Sequence, residues 1–180
     1  SLILGDNFFY AQSLTNKLKE SVKLSNGCKV FLHHVKKPEL YGVATIKNKK
    51  ISKLVEKPKK SKSNLAVTGL YFFDNKVIKY SKSLKPSKRN ELEITELLKK
   101  YMTKKKLKAE YLGRGGAWLD TGSIGDFYNT SAFVSAIETR QGLKIACLEE
   151  IAFNNKWINK KQILKSIKFY GNCTYSKYLR

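Results

Sequence analysis

Two carboxylates sit where open α/β sheets do their chemistry. Asp6 lies in Gly5-Asp6-Asn7 and Asp120 in Leu119-Asp120-Thr121-Gly122, each just past a short apolar run. Ligands of such sheets bind outside the carboxyl ends of strands, so both residues could face one crevice. Two carboxylates meeting there can hold Mg²⁺, which keeps several waters and takes substrate phosphate oxygens as its other ligands. An Asp before Gly or Asn also serves as a plain turn or cap residue, so the spacing alone does not decide. Between the two lies Val55-Glu56-Lys57-Pro58, a strand end that presents a carboxylate beside an ammonium. Glu56 could accept from sugar hydroxyls and Lys57 offers a point charge for a phosphate; a surface ion pair is the plainer alternative. The Gly of Val67-Thr68-Gly69, in an apolar strand, marks either a close approach of ligand or backbone, or a bulge. His33 and His34 are adjacent in a strand, point to opposite faces and cannot act as a pair. The sequence has no Gly-x-Ser-x-Gly, no Cys/His triad arrangement and no zinc-ligand spacing.

The elements that must position these residues follow from hydrophobic pattern. Leu2-Ile3-Leu4 reads as a buried, central parallel strand ending at Gly5-Asp6-Asn7, and Phe8 to Leu18 as a weakly amphipathic helix. Lys29 to Val35 is strand-like. Gly42 to Ile46 and Ile51 to Glu56 flank a polar Lys47-Asn48-Lys49-Lys50 turn and form a hairpin, and Leu65 to Phe73 is a strand covered on both faces. Asn90 with Glu93 suggests a capping box for a helix carrying Leu92, Leu97, Leu98 and Tyr101. Strands are expected at Leu107 to Leu112 and Ala117 to Leu119. Ser123 with Asp126 opens a further helix with Ile124, Phe127, Val134 and Ile137 near one face, and short helices follow from Glu149. The order is α/β: an open, mixed, mostly parallel Rossmann-like sheet with helices on both faces and an antiparallel insertion. A chain that begins at Ser1 and enters a central strand at once is expected to lack preceding βα units.

Composition narrows the class. The 180 residues carry 36 Lys+Arg against 14 Asp+Glu, a formal charge of +22, with 42% hydrophobic residues, which is too apolar for a disordered basic tail. Such a charge raises nucleic acid as a partner. Against that, only Arg89, Arg114, Arg140 and Arg180 are arginines, and the lysines run from Lys17 to Lys177 without a single stripe. A lysine-biased solvated surface accounts for them, so nucleic acid is not the expected partner. No apolar run approaches the roughly 18–20 residues that span a bilayer, and no membrane partner is expected. Cys28, Cys147 and Cys173, odd in number and far apart, fit a reducing cytoplasm.

Taken in order, Leu4-Gly5-Asp6-Asn7, Tyr41-Gly42-Val43, Val55-Glu56-Lys57-Pro58, Ala66 to Tyr71, Glu91-Leu92-Glu93-Ile94-Thr95 and Ala117 to Gly122 resemble the sugar-1-phosphate nucleotidylyltransferases. The stretch Arg140 to Ala152 is similar to the branch that transfers thymidylyl groups to glucose 1-phosphate. The resemblance implies that Asp6 and Asp120 bind Mg²⁺ and that Gly42 and Val67 contact glucose through their backbone. It assigns Glu56 to the sugar hydroxyls and Lys57 to the sugar phosphate, with Asp6, Lys57 and Asp120 as the catalytic set. It further implies conversion of dTTP and glucose 1-phosphate to dTDP-glucose and pyrophosphate, the first step of dTDP-rhamnose synthesis for cell-surface polysaccharide, in a cytoplasmic homotetramer. Residues 1–122 would be the sugar-phosphate- and metal-binding part of one nucleotidyltransferase domain and 123–180 its C-terminal helical segment.

The departures matter too. The family's Gly-rich triphosphate loop does not occur, the Gly-rich candidate being Gly113-Arg114-Gly115-Gly116, so the segment alone is expected to be inactive. Ala11 stands where a Gly is usual, and Ser123-Ile124-Gly125-Asp126 where Thr-His-Asp is usual. The alternatives are uridylyl or cytidylyl transfer within the enzyme class, and a truncated, non-catalytic basic module binding an anion or nucleic acid. The ordered motifs favour the enzyme over the basic module, which only the charge supports.

Overall fold

The computed structural model describes residues 1–180. It divides into two compact units, Ser1–Ser123 and Ile124–Arg180. In the first, the elements run β1 (Leu2–Ile3), β2 (Asn7–Tyr10), α1 (Leu14–Val22), β3 (Cys28–His34), a 3₁₀ turn (Pro38–Leu40), β4 (Gly42–Lys47) and β5 (Lys50–Glu56). They continue with β6 (Leu65–Phe73), α2 (Lys76–Lys82), α3 (Ile94–Thr103), β7 (Leu107–Tyr111) and β8 (Ala117–Asp120). The second unit holds α4 (Ile124–Gln141), α5 (Leu148–Asn154), α6 (Lys160–Tyr170) and α7 (Thr174–Tyr178). No helix is long and apolar enough to cross a membrane.

The main sheet has the order β5-β4-β6-β3-β7, with β1 also on β6, and β2 pairs separately with β8. Alternation along the strands builds two cores. Cys28, Val30, Leu32, Val67 and Tyr71 face α3, which contributes Leu97, Leu98 and Tyr101. Phe31, Ala66, Leu70 and Phe72 face the other way, with Trp118 and with Leu14 and Leu18 of α1 packed on them. β6 is therefore covered on both faces, as its unbroken apolar run requires, and its buried Thr68 hydroxyl donates to the Phe31 carbonyl at 3.1 Å. The β4–β5 hairpin forms where expected, its Asn48 and Lys49 turning at φ 50° and 59°.

The α/β class with a mixed sheet and helices on both faces is as expected, with four corrections of detail. Pairing is antiparallel except between β3 and β7, so this sheet is not mostly parallel. The run 2–4 is not a buried central strand: it lies antiparallel on β6 with Ile3 57% exposed. Residues 7–10 are a strand rather than the start of a helix, because Asn-Phe-Phe-Tyr suits a pleated surface and finds β8 as partner. The Asn90–Glu93 capping box does not form. Asn90 has φ 59°, α3 begins at Ile94, and the Glu93 carboxylate accepts from Ser87 Oγ at 2.9 Å instead. In the second unit, Ile124 and Phe127 of α4 are exposed and Val134 and Ile137 half-buried, while Thr130, Cys147 and Ser176 are its buried residues.

Candidate active site

The site grows from a split in the sheet. One edge of β6 pairs with β4 at Leu65–Ala66 and with β1 at Leu70–Tyr71, where the Gly69 carbonyl also accepts from Leu4 N at 2.9 Å, which leaves Val67 and Thr68 without a strand partner on that edge. A divergence of strands is where α/β sheets open a crevice. Part of the gap is closed from the side. Asn7, at the head of β2, accepts from Gly69 N at 2.9 Å through its Oδ1, which also accepts from Trp118 Nε1. Gly69 has to be glycine here, since a Cβ would come within 2.6 Å of that oxygen. The bulge reading of this glycine fits the β3–β6 register, which shifts between Val30 and Leu32 opposite Thr68 to Leu70, and the close neighbour is a protein side chain rather than a ligand or backbone.

That anchoring places the two aspartates. Asn7 and Asp120 are register partners in the β2–β8 ribbon, and Asp6 precedes Asn7. Thr121 ties the ends together, its N–H and hydroxyl donating to the Asp6 carbonyl at 2.7 and 2.9 Å. A Cβ built on Gly122 would lie 3.1 Å from Asp120 Oδ1 and 3.6 Å from Asp6 Oδ2, so the carboxylates converge on one point. Each keeps an oxygen tethered: Asn7 Nδ2 donates to Asp6 Oδ1 at 2.8 Å and Gly122 N to Asp120 Oδ1 at 3.0 Å. Two oxygen donors on a partly exposed ribbon suit a hard cation that keeps water and phosphate ligands. They do not make an all-protein cage, and the chain has no group of three or more His, Cys, Asp or Glu placed to hold a metal ion.

The second half of the site lies on the β4–β5 hairpin. Gly42 pairs with Glu56, and Lys57, at φ 39°, donates its backbone N–H to the Tyr41 carbonyl at 3.0 Å. The Tyr41 ring rests on Trp118 with centroids 4.9 Å apart, so the hairpin and the β2–β8 ribbon share a wall. A Cβ at Gly42 would meet Thr95 Cγ2 at 2.8 Å and Glu56 Oε2 at 3.1 Å. Burial pushes the Glu56 carboxyl up from its ordinary range and the Glu93 charge adds to this, while the Lys57 and Arg89 charges pull it down. The Thr95 hydroxyl stands beside Glu56 but outside hydrogen-bonding geometry, which leaves its Oγ1 buried without a partner. Arg89 braces the rim through Glu91 at 2.8 Å and Glu93 at 3.6 Å.

Five of the six residues singled out, Asp6, Gly42, Glu56, Val67 and Asp120, thus lie in or beside one split of the sheet, and Lys57 is exposed at its rim. Sequence reasoning gave no role to Asn7, Arg89, Glu93 or Thr95. The Glu91 to Thr95 motif was visible but read as a helix start, and nothing local marks Asn7 as a bridge to Gly69.

The profile of the family described as Nucleotidyl transferase matches residues 1–137. A glucose-1-phosphate thymidylyltransferase of Neisseria gonorrhoeae is 45% identical over 179 residues, covering 99% of this chain and 62% of that protein. The enzyme of the same name from Mycobacterium tuberculosis (strain H37Rv) is 41% identical over 180 residues, with 99% and 62% covered. This chain thus spans about three-fifths of the length of these curated relatives. Among solved structures, a Bacillus anthracis protein described as a glucose-1-phosphate thymidylyltransferase in complex with sucrose superposes with a TM-score of 0.64 at 41% identity, covering 73% of this chain and 52% of the other. A UDP-glucose pyrophosphorylase complexed with UDP-glucose gives 0.62 at 25% identity, covering 73% and 53%. With aspartates, hairpin and sheet split in this arrangement, the chain belongs to the nucleotidyl transferase family.

Proposed function

We propose that this chain carries the sugar-phosphate- and metal-binding part of a glucose-1-phosphate thymidylyltransferase, which forms dTDP-glucose and pyrophosphate from dTTP and glucose 1-phosphate. The observation that carries the reading is the convergence of Asp6 and Asp120 on one point, beside a hairpin that presents Glu56 and Lys57. In this reading Asp6 and Asp120 hold Mg²⁺. When bound, the ion offsets phosphate charge and orients phosphate oxygens. Lys57, exposed at the rim, takes the sugar phosphate. Glu56, half-buried, accepts from the glucose hydroxyls. Gly42 and Val67 offer backbone groups, and the absence of a side chain at Gly42 lets Thr95 and Glu56 pack directly against its backbone.

The two substrates are both anions and repel. Catalysis therefore rests on neutralising charge and on alignment rather than on a covalent enzyme intermediate. A phosphate oxygen of glucose 1-phosphate attacks the α-phosphorus of dTTP in line. The new O–P bond forms as the bond to the pyrophosphate leaving group breaks. Asp6, Lys57 and Asp120 are the catalytic set. Residues 1–122 and 123–180 act as parts of one domain, and the whole enzyme is read as a cytoplasmic homotetramer serving dTDP-rhamnose synthesis. The pairing in this chain's fold with a UDP-glucose pyrophosphorylase makes uridylyl transfer the competing base choice.

Calorimetric titration of glucose 1-phosphate against the chain tests the sugar-phosphate assignment. Binding should weaken about 10-fold to 100-fold in Lys57→Gln, the range of a lost charge-assisted hydrogen bond. Equal affinity of wild type and variant would remove Lys57 from the site.

A further inference from the structure

Far from the split, the strand ends where β3 begins and β6 finishes enclose a second recess. A cavity of about 500 Å³ opens there, and Lys76, Lys79, Lys104 and Lys106 stand around it. Counted along β6, Asp74 lies seven residues from Val67, or roughly 23 Å at the usual strand rise. The segment 76–108 carries twelve Lys+Arg against three Glu. Those three acids are engaged elsewhere, Glu91 and Glu93 with Arg89 and Glu96 with Lys99. None of the four lysines at the recess takes part in an ion pair.

The lysines are held by a built framework. The Asp74 carboxylate joins three segments: it accepts from Gly27 N at 2.8 Å, from Lys76 N at 3.0 Å and from the Tyr101 hydroxyl at 2.9 Å. Burial alone would raise its pKa, but those hydrogen bonds outweigh burial and hold the carboxyl below its ordinary range. Gly27, at φ 96°, lies so close to the Lys106 carbonyl that a Cβ would come within 2.3 Å of it. Lys106 N in turn donates to the Tyr101 carbonyl at 2.9 Å, which fixes the turn carrying Lys104 and Lys106. Tyr80 packs edge-on against Tyr101 at 5.0 Å and forms the wall. Asp74 lines the same recess, so its charge offsets one of the four lysines and leaves an excess of three positive charges around the opening, which an anion placed there would neutralise.

We propose that this recess is a second anion site, which binds a chain of phosphate groups independently of the sugar-phosphate site. The ligand chemistry is a tri- or polyphosphate, either inorganic or borne by a nucleotide. The test uses the full chain carrying Lys57→Gln, so that the charge at the first site is removed. Inorganic tripolyphosphate is titrated by calorimetry, and backbone amide shifts are followed by NMR. Lys79→Gln/Lys104→Gln should weaken tripolyphosphate at least 10-fold and Lys49→Gln/Lys53→Gln less than 2-fold, with the Gly27 and Lys76 amides shifting on titration. A parallel titration with dTTP separates the sources. Affinity equal to that of tripolyphosphate assigns the phosphate chain alone, and tighter binding that Tyr80→Ala removes assigns the nucleotide. Equal weakening by the two lysine pairs, or shifts that bypass Gly27 and Lys76, would overturn the proposal in favour of diffuse surface charge.

Discussion

The two compact units differ in how their apolar residues are used. In Ser1–Ser123 the strands bury both faces: Phe31, Leu32 and Leu98 are wholly inaccessible, and the cores are continuous from β5 to β7. In Ile124–Arg180 the helices expose Ile124 at 91% and Phe169 at 84%, and the link between α5 and α6 exposes Trp157 at 71%. Its order comes from polar links instead. A capping box of Asn159 and Gln162 starts α6, Tyr178 donates to Glu150 at 2.6 Å, and Lys144 pairs with Glu138 at 2.5 Å. A strand buried on both sides makes a rigid frame, and short helices with one committed face do not. The candidate site lies entirely on the rigid side, where a fraction of an ångström matters to a phosphate transfer.

This contrast can be broken at its strongest point by truncating one leucine in each unit. Leu98→Ala in α3 empties a fully buried position and should cost about 2–5 kcal/mol of unfolding free energy. Leu164→Ala in α6, 64% exposed, should stay within about 0.5 kcal/mol. Denaturant midpoints read both, and equal losses would mean the helical unit carries a core of its own. The rigidity of the site predicts the next effect. Gly42→Ala sets a methyl against Thr95 Cγ2 and Glu56 Oε2, and should weaken glucose 1-phosphate binding by more than about 10-fold, or 1.4 kcal/mol. Unchanged affinity by calorimetry would show that the hairpin yields.

A smaller effect concerns pH. Burial raises the Glu56 carboxyl above its ordinary value of 4.5, so the folded chain holds that proton more tightly than the unfolded chain does. Its contribution to stability is therefore full below pH 4.5 and lost as pH rises through the raised folded value. Glu56→Gln should flatten that part of the stability–pH curve and leave the chain slightly more stable at neutral pH. An unchanged slope in thermal melts at stepped pH would place Glu56 in water.

Much of this was legible in the sequence because the signals were local. The nine-residue apolar run of β6, the alternation in β3 and the polar turn of the hairpin each specify an element without help from distant residues. So does the placement of Asp6 and Asp120 just beyond apolar runs. What escaped was non-local. Phe8 stands at near-helical spacing with Leu14 and Leu18, and only β8, more than a hundred residues later, makes residues 7–10 a strand. Strand direction is likewise invisible in an apolar run, which is why the sheet was expected to be mostly parallel. Glu93 was spaced for a capping box, but Ser87 and Arg89 claim its carboxylate. The partnerless Thr95 hydroxyl has no sequence signature, since burial without a hydrogen bond is a property of the packed state.

The central claim is that the aspartate pair and the hairpin form one site for a metal ion and a sugar phosphate. Its most direct test is paramagnetic relaxation of the ³¹P signal of glucose 1-phosphate by Mn²⁺ in the presence of this chain. The account predicts broadening that Asp6→Asn and Asp120→Asn each abolish while glucose 1-phosphate still binds, and that Lys57→Gln abolishes by releasing the sugar phosphate. Broadening that persists in the aspartate variants, or binding of the sugar phosphate with no metal effect at all, would contradict it.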